Sequence, residues 1–211
     1  MSVTQITIAS VTLLVHTAVL TLRATNDELD DARRLAHQLA TTDPLTGAAN
    51  RRSFTELVGA LATTSRTAHT LLLVDIDRFK NLNDRHGHLV TDEVLREVAH
   101  RLSTALPDAS VARWGGEEFA VLCLDSGVHR SPTVAAESLR TTVGHHAIVT
   151  AIGPISCTIS AGGTVWDATE PFEDALRRAD GALYEAKASG RNRSVERHAD
   201  SVERDDVRRP A

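Results

Sequence analysis

Short apolar runs alternate with amphipathic stretches along most of the chain, and this pattern predicts an α/β domain over residues 43–193. Apolar positions at helical spacing predict helices over residues 53–61, 92–102, 134–143 and 172–189, the last stopped by Gly190. Compact runs of strand formers predict strands over residues 70–76, 111–113, 119–124 and 155–160. The polar stretch 78–92 is interrupted by glycine and is predicted to be an ordered loop between helices.

The two ends of the chain differ from this domain. Residues 1–22 carry no charge, and apolar residues from Ile8 to Leu39 follow a 3-4 spacing. A transmembrane helix, a soluble coiled coil and a strand over 11–19 all fit part of this pattern. We favour one long helix over residues 1–42, ended at Pro44, with Leu22 and Leu29 on a dimer seam; whether its first half lies in a membrane or in water stays open. Residues 194–211 are charged and are predicted to form a disordered tail.

Composition narrows the function. The net charge of −5 argues against general binding of nucleic acid, so a phosphate site must be a local cluster of cations. Cys123 and Cys157 lack metal-ligand spacing and fit two thiols in a reducing cytoplasm. Only two of the 23 basic residues are lysines, Lys80 and Lys187, and lysine is a compact point charge well suited to phosphate.

Two acidic groups predict a cation site. Gly115-Gly116 is a hairpin signal between two strand patterns, and Glu117 follows it directly. Glycine there tolerates a positive φ and lets a ligand approach the backbone. Asp75 ends a buried strand, where a carboxylate needs a partner, either a cationic side chain or a metal. If that strand lies beside the hairpin, Asp75, the Ile76 carbonyl and Glu117 can share Mg²⁺.

Further polar residues suit a nucleotide. Asn83 and Asp92 form a suitable pair for guanine, because a carboxylate accepts from N1–H and the 2-amino group while an amide donates to O6. Each also has a plain explanation as a turn or cap residue. Lys187 and Arg191 flank the end of the last predicted helix, where cations complement the helix dipole or grasp triphosphate oxygens.

Five ordered motifs make a specific resemblance. They are Asp43-Pro-Leu-Thr-Gly-Ala-Ala-Asn-Arg-Arg, Asp75-Ile-Asp-Arg-Phe-Lys with Asn83-Asp84, Gly87-His88 with Asp92, Arg113-Trp-Gly-Gly-Glu-Glu-Phe, and the stretch from Ala179 to Arg193. In this order and spacing the chain resembles the GGDEF-domain diguanylate cyclases, in the GGEEF variant. Both lysines fall inside these motifs.

The resemblance implies a central mixed sheet flanked by helices, similar to nucleotidyl cyclases and polymerase palms, and synthesis of cyclic di-GMP from two GTP molecules by a homodimer. It also implies Mg²⁺, with Mn²⁺ as the alternative, and a catalytic domain in the cytoplasm with a membrane anchor through residues 1–22 left open. The implied roles are metal binding by Asp75, Ile76 and Glu117; nucleoside contacts by Asn83, His88 and Asp92; phosphate contacts by Lys80, Lys187 and Arg191; and catalysis by Glu117, Glu118 and Lys80.

Three departures from the family pattern stand out. Thr91 replaces a usual glycine and Ala48 a usual leucine. The product-inhibition motif Arg-x-x-Asp would fall at Leu106-Pro-Asp-Ala109, where neither charged residue stands in its place. Two alternatives to an active diguanylate cyclase remain. A catalytically silent nucleotide-binding regulator is disfavoured because the acidic and lysine positions of the motifs are intact. An ATP-using mononucleotide cyclase is disfavoured by the Asn83 and Asp92 pair, which suits guanine.

Overall fold

A computed structural model describes residues 41–65, 67–124 and 131–199, and four single residues of the amino-terminal segment that have helical backbone, His16, Leu20, Arg23 and Leu29. The chain divides into two compact units, residues 1–40 and 41–211. Apart from these four residues and Thr41 and Thr42, the predicted 1–42 helix lies outside the described residues, as does its dimer seam except for Leu29. None of the helices in the described part has the length and apolar composition that crossing a bilayer requires.

The second unit contains the predicted helices and strands in their predicted order, together with short elements that the sequence did not predict. The strands are β1 (Ala49–Asn50), β2 (Ala68–Ile76), β3 (Ala109–Arg113), β4 (Glu118–Cys123), β5 (Ile148–Thr150), β6 (Gly153–Ile155), β7 (Ile159–Asp167) and β8 (Ser194–Glu196). The helices are α1 (Arg51–Thr64), α2 (Phe79–His86), α3 (His88–Ala105), α4 (Pro132–Gly144) and α5 (Phe172–Ala188).

Six strands form one mixed sheet in the order β1-β3-β4-β2-β7-β8, and β5 and β6 form a separate hairpin. The central strand β2 pairs antiparallel with β4 on one side and with β7 on the other, so it is hydrogen-bonded along both edges. That position explains its nearly continuous apolar sequence, because both faces are covered. Strands β1 and β8 pair in parallel at the two edges.

Helices cover both faces of the sheet. One core, which includes Leu72, Val74 and Ile76, packs beneath α3 and α4. The other, which includes Leu71 and Leu73, packs beneath α1 and α5. Because successive residues of β2 point to opposite faces, the two cores divide its side chains between them. The predicted fold class, a mixed sheet flanked by helices, is confirmed.

Helix α5 lies unusually close to the sheet. A Cβ atom on Gly162 of β7 would lie 2.2 Å from the Ala179 carbonyl oxygen and 2.2 Å from the Leu183 nitrogen. Only a glycine therefore lets the backbone of α5 rest on the backbone of β7. The contact fixes how near the carboxyl end of α5, with Lys187, comes to the sheet.

Three sequence predictions need correction. The polar stretch predicted as a loop forms α2 and the start of α3, separated by Gly87 in a left-handed conformation with φ 79°. The strand predicted over 155–160 is split, because β6 ends at Ile155 and β7 begins at Ile159. The predicted disordered tail is wrong for Ser194–Glu196, which pair with β7; residues 200–211 lie outside the described part.

Candidate active site

The acidic turn lies in the β3–β4 hairpin, as predicted. The backbone N–H groups of Trp114 and Gly115 donate to the Glu118 carbonyl, 2.8 Å and 3.2 Å away. Neither glycine has a positive φ, so what they provide here is space and not an unusual backbone conformation. A Cβ on Gly115 would lie 3.0 Å from the Glu118 carboxylate, while one on Gly116 would meet nothing within 4 Å. The backbone at Gly116 is therefore open to an approaching ligand.

Two carboxylates, Asp75 of β2 and Glu117 of the turn before β4, interact beside this turn. Asp75 at the end of β2 is the cross-strand partner of Glu118, and the Ile76 N–H donates to the Glu117 carbonyl at 3.3 Å. Burial raises the pKa of Asp75, and Asp77 adds to this, while the Lys187 ammonium 2.8 Å away offsets only part. Burial and then the charge of Asp75 raise the pKa of Glu117. The pair carries more negative charge than its one close lysine neutralises.

The chemistry of this donor set suits a hard divalent cation. Raised pKa values mean that the two ionised carboxylates are held together at a cost in free energy, which a cation between them would remove. Within the described ranges, no three His, Cys, Asp or Glu side chains come together as a metal cluster. Two carboxylates and a carbonyl leave further positions to water and phosphate, which is how Mg²⁺ binds in nucleotide sites.

Asp77 points to a different set of partners. It accepts hydrogen bonds from the Thr158 hydroxyl at 2.6 Å, the Ser160 hydroxyl at 2.6 Å and the Asn192 backbone N–H at 2.9 Å. It is almost fully buried, so these bonds replace its hydration. Asp77 thereby ties the turn after α5 to the end of β2, a function that the sequence analysis did not identify. Asp77 and Asn192 are 115 residues apart, and no local pattern links them.

Two of the three predicted phosphate-binding cations lie at or next to that turn. Arg191 has a left-handed backbone, with φ 62°, and its charge acts on Asp75. Lys80 is exposed in the first turn of α2. A cleft of about 470 Å³ opens between α2 and the turn, with Arg78, Arg85 and Arg191 among its lining residues. Lys187 and Arg191, which the sequence analysis assigned to phosphate contacts, thus both act on Asp75.

The junction of α2 and α3 holds the residues predicted to contact a nucleoside. The Thr91 hydroxyl donates to Asn83 Oδ1 at 3.0 Å, which ties the end of α2 to the first turn of α3. Asp92 follows Thr91, and His88 begins α3 with an exposed side chain. The bond between Thr91 and Asn83 thus brings Asn83 into the neighbourhood of Asp92. Thr91 itself was noted only as a departure from the family pattern.

The opening motif of the domain braces the hairpin. Arg113 contacts Asp43 at 3.2 Å and donates to the Gly116 carbonyl at 2.8 Å. Burial raises the pKa of Asp43, but hydrogen bonds from Thr46 and the charge of Arg113 outweigh it and lower the pKa. The Arg51 guanidinium lies 4.4 Å from the centre of the Trp114 ring. Both partners of each contact lie in motifs that the sequence analysis identified, but the motifs do not predict which residues pair.

The segment in the place of the inhibition motif carries no cation. Leu106 is buried and packs in the core beneath α3. Asp108 is exposed in the turn before β3. Arg101, the nearest arginine on α3, donates to the Val143 and His146 carbonyls at 2.9 Å and 2.5 Å. That guanidinium is therefore engaged in holding the end of α4.

Comparisons with known proteins agree with this architecture. The chain is 40% identical over 175 residues to the diguanylate cyclase DgcP of Pseudomonas aeruginosa, covering 81% of this chain and 25% of that protein. It is 41% identical over 166 residues to the response regulator PleD of Caulobacter vibrioides, covering 75% of this chain and 36% of that protein. The match thus spans well under half the length of either relative.

A solved structure covers more of the chain. The coiled coil and GGDEF domain of DgcB from Caulobacter crescentus, in complex with c-di-GMP, has a TM-score of 0.77 and 28% identity, covering 87% of this chain and 99% of that one. The family described as diguanylate cyclase, GGDEF domain matches residues 40–193, which include all five helices and every strand of the sheet except β8. The chain belongs to the GGDEF-domain family of diguanylate cyclases.

Proposed function

We propose that this domain condenses two GTP molecules into cyclic di-GMP and two pyrophosphates. The observation that carries the proposal is the pair of carboxylates, Asp75 and Glu117, with Lys187 beside them at an open glycine turn. Negative side chains at that density suit a phosphate site only if a divalent cation sits between them and the substrate. The names of the relatives and the c-di-GMP complex of DgcB support the same product.

Asp75, the Ile76 carbonyl and Glu117 are the residues that would hold Mg²⁺, with Mn²⁺ as the alternative ion. When bound, the cation supplies positive charge to the triphosphate and stabilises charge that develops on the reacting phosphate. Lys187 contributes a second positive charge from the end of α5, already 2.8 Å from Asp75. Lys80 and Arg191 complete the phosphate contacts, Lys80 also stabilising charge in the transition state, and Asp77 holds the turn that carries Arg191.

The guanine would lie at the α2–α3 junction. Asp92 accepts from N1–H and the 2-amino group, Asn83 donates to O6, and exposed His88 contacts the nucleoside. Adenine presents an amino group where guanine has O6, so this set disfavours ATP. The bond from Thr91 to Asn83 supports placing the two base-reading residues together.

Each condensation moves one proton and breaks one bond. The 3′-hydroxyl of one GTP attacks the α-phosphate of the other, the bond to the β-phosphate breaks, and pyrophosphate leaves. We assign the proton to Glu117, the carboxylate that directly follows the open turn at Gly116, with Glu118 close by. The step happens twice, between two domains of a homodimer that hold one GTP each.

The dimer would form through the amino-terminal segment. Leu22, Leu29 and Leu39 share the seam predicted from the sequence, and Leu29 is exposed on helical backbone. An apolar residue exposed on a single chain is consistent with burial against a second copy. The DgcB structure, described as a coiled coil and GGDEF domain, supports the same arrangement. The domain also lacks the arginine and aspartate of the product-inhibition motif at residues 106–109.

The test is incubation of the chain with GTP and MgCl₂ and identification of the product by liquid chromatography and mass spectrometry. We expect cyclic di-GMP and two equivalents of pyrophosphate, and none with Asp75→Ala or with EDTA. Binding of GTP without product would favour the silent regulator. A cyclic mononucleotide would show that the attack is intramolecular and that the proposal is wrong.

A further inference from the structure

Thr91 is a position where this chain departs from the family pattern and gains a polar group that contacts a predicted site residue. Its side chain is buried in the first turn of α3, with only 2% of its surface exposed. The hydroxyl donates to Asn83 Oδ1 at 3.0 Å, and the Gly87 and His88 carbonyls lie 3.1 Å away. A glycine at this position would make none of these contacts.

The contact acts on one end of the Asn83 amide. An asparagine side chain has an accepting oxygen and a donating nitrogen, and rotation by half a turn exchanges them. With the oxygen turned to Thr91, the nitrogen is the end presented to a ligand. The backbone of Asn83 is also fixed, because its carbonyl accepts from Gly87 N–H at 2.8 Å.

We propose that Thr91 is a positioning residue for base selection, holding the Asn83 amide with its nitrogen toward O6 of guanine. This rests on the proposed function, in which Asn83 contacts the base. In this orientation the amide nitrogen of Asn83 can donate to O6 of a 6-oxo purine. Against adenine it would face the 6-amino group, which is also a donor. Thr91 therefore does not touch the nucleotide but decides which end of Asn83 does.

The test compares nucleotides that differ at a single base position. 6-Thio-GTP replaces O6 by sulfur, a weak acceptor, and keeps N1–H and the 2-amino group. ITP keeps O6 and lacks the 2-amino group. Thr91→Val removes the hydroxyl at nearly constant volume, and Thr91→Ser keeps it. Thr104→Val is the matched control, because Thr104 lies on the same helix, is exposed, and donates only to the His100 carbonyl, at 2.8 Å.

The readouts are the KM from pyrophosphate release with Mg²⁺ and the Kd from calorimetric titration of each nucleotide. For Thr91→Val we expect the KM and Kd for GTP and ITP to rise about fivefold to tenfold, because one hydrogen bond is lost. The KM and Kd for 6-thio-GTP should change less than about twofold. Thr91→Ser should match the parent protein for every nucleotide. Thr104→Val should match it as well, with thermal unfolding measured for all variants.

The outcomes separate the inference from the function. An equal rise for GTP and 6-thio-GTP would show that Thr91 only supports the fold, and no change for either would show that Asn83 is held without it. Either result overturns the inference. If the parent protein binds GTP but releases no pyrophosphate, the proposed function fails, while the titrations still decide the role of Thr91.

Discussion

We predict that removing the charge of Asp77 lowers both the thermal stability of the domain and its binding of GTP. It accepts three hydrogen bonds, from Thr158, Ser160 and the backbone of Asn192, and the last of these holds a turn whose two residues, Arg191 and Asn192, have φ values of 62° and 47°. Non-glycine residues seldom adopt such conformations, so the turn depends on what holds it. The informative change is Asp77→Asn, which keeps the shape and removes the charge.

The magnitude follows from the three bonds. Hydrogen bonds to a charged group contribute about 1.5–3 kcal/mol each and neutral ones about 0.5–1.5 kcal/mol, so each bond loses about 1 kcal/mol. The asparagine oxygen can still accept from Thr158 and Asn192, and the Ser160 hydroxyl can reverse to accept from the new amide nitrogen. Relief of the repulsion between Asp77 and Asp75 offsets part of the loss. We expect a net loss of about 2 kcal/mol, or about 4–8 °C in Tm.

The assay combines thermal unfolding, followed by circular dichroism, with the kinetics of pyrophosphate release. A looser turn lets Arg191 move away from the phosphates, so the KM for GTP should rise together with the fall in Tm. The control is Asp108→Asn, an equal change of charge at an exposed residue. If Asp77→Asn unfolds and binds GTP as the parent protein does, the charge of Asp77 does not hold the turn and this reasoning is wrong.

Three further predictions concern the site itself. Glu117→Gln should abolish turnover, yet without metal the thermal unfolding midpoint should stay equal or rise. The reason is that the raised pKa of Glu117 makes its ionised form unfavourable in the folded chain. The stability that Glu117 contributes therefore falls as pH rises through the carboxyl range. A clearly lower midpoint at neutral pH would contradict this. Asp92→Asn should lower GTP turnover about tenfold or more, because a donor would face the N1–H and 2-amino donors, and unchanged turnover would reduce Asp92 to a helix residue. Added cyclic di-GMP should inhibit only by competition with GTP, since Leu106 and Ala109 offer it no charge; calorimetry that finds two or more product molecules per domain would refute this.

The sequence predicted the elements whose apolar residues repeat regularly and missed those whose existence depends on partners. Strand β2 and helix α5 have clear periodic patterns and were predicted to within a few residues. Helix α2 has no buried residue, so its mostly polar sequence gave no helical face to detect. Strand β8 is three residues long and exists because β7 offers it an edge.

The same distinction applies to the site. Asp75 and Glu117 were predicted to meet because each stands at a strand end or turn that the sequence marks clearly. The hydrogen bonds of Asp77 and the contact from Thr91 to Asn83 depend on side-chain rotamers and loop conformations that form only in the folded chain. Hydroxyl groups such as those of Thr158 and Ser160 are common along any chain, and nothing local distinguishes the ones that bind a buried carboxylate.

The bare backbone at Gly162 has a consequence for how this domain can change over evolution. Main-chain atoms of α5 rest directly on main-chain atoms of β7 at this point, so peptide geometry limits how near the helix, and with it Lys187, comes to the sheet. Other core positions can exchange one apolar residue for another and shift their neighbours slightly. At the Gly162 contact, such changes have no side chain through which to act. Lys187 should therefore stay at the same distance from the sheet while the surrounding core diverges. Any larger residue at position 162 would displace the whole helix and move the Lys187 ammonium away from Asp75.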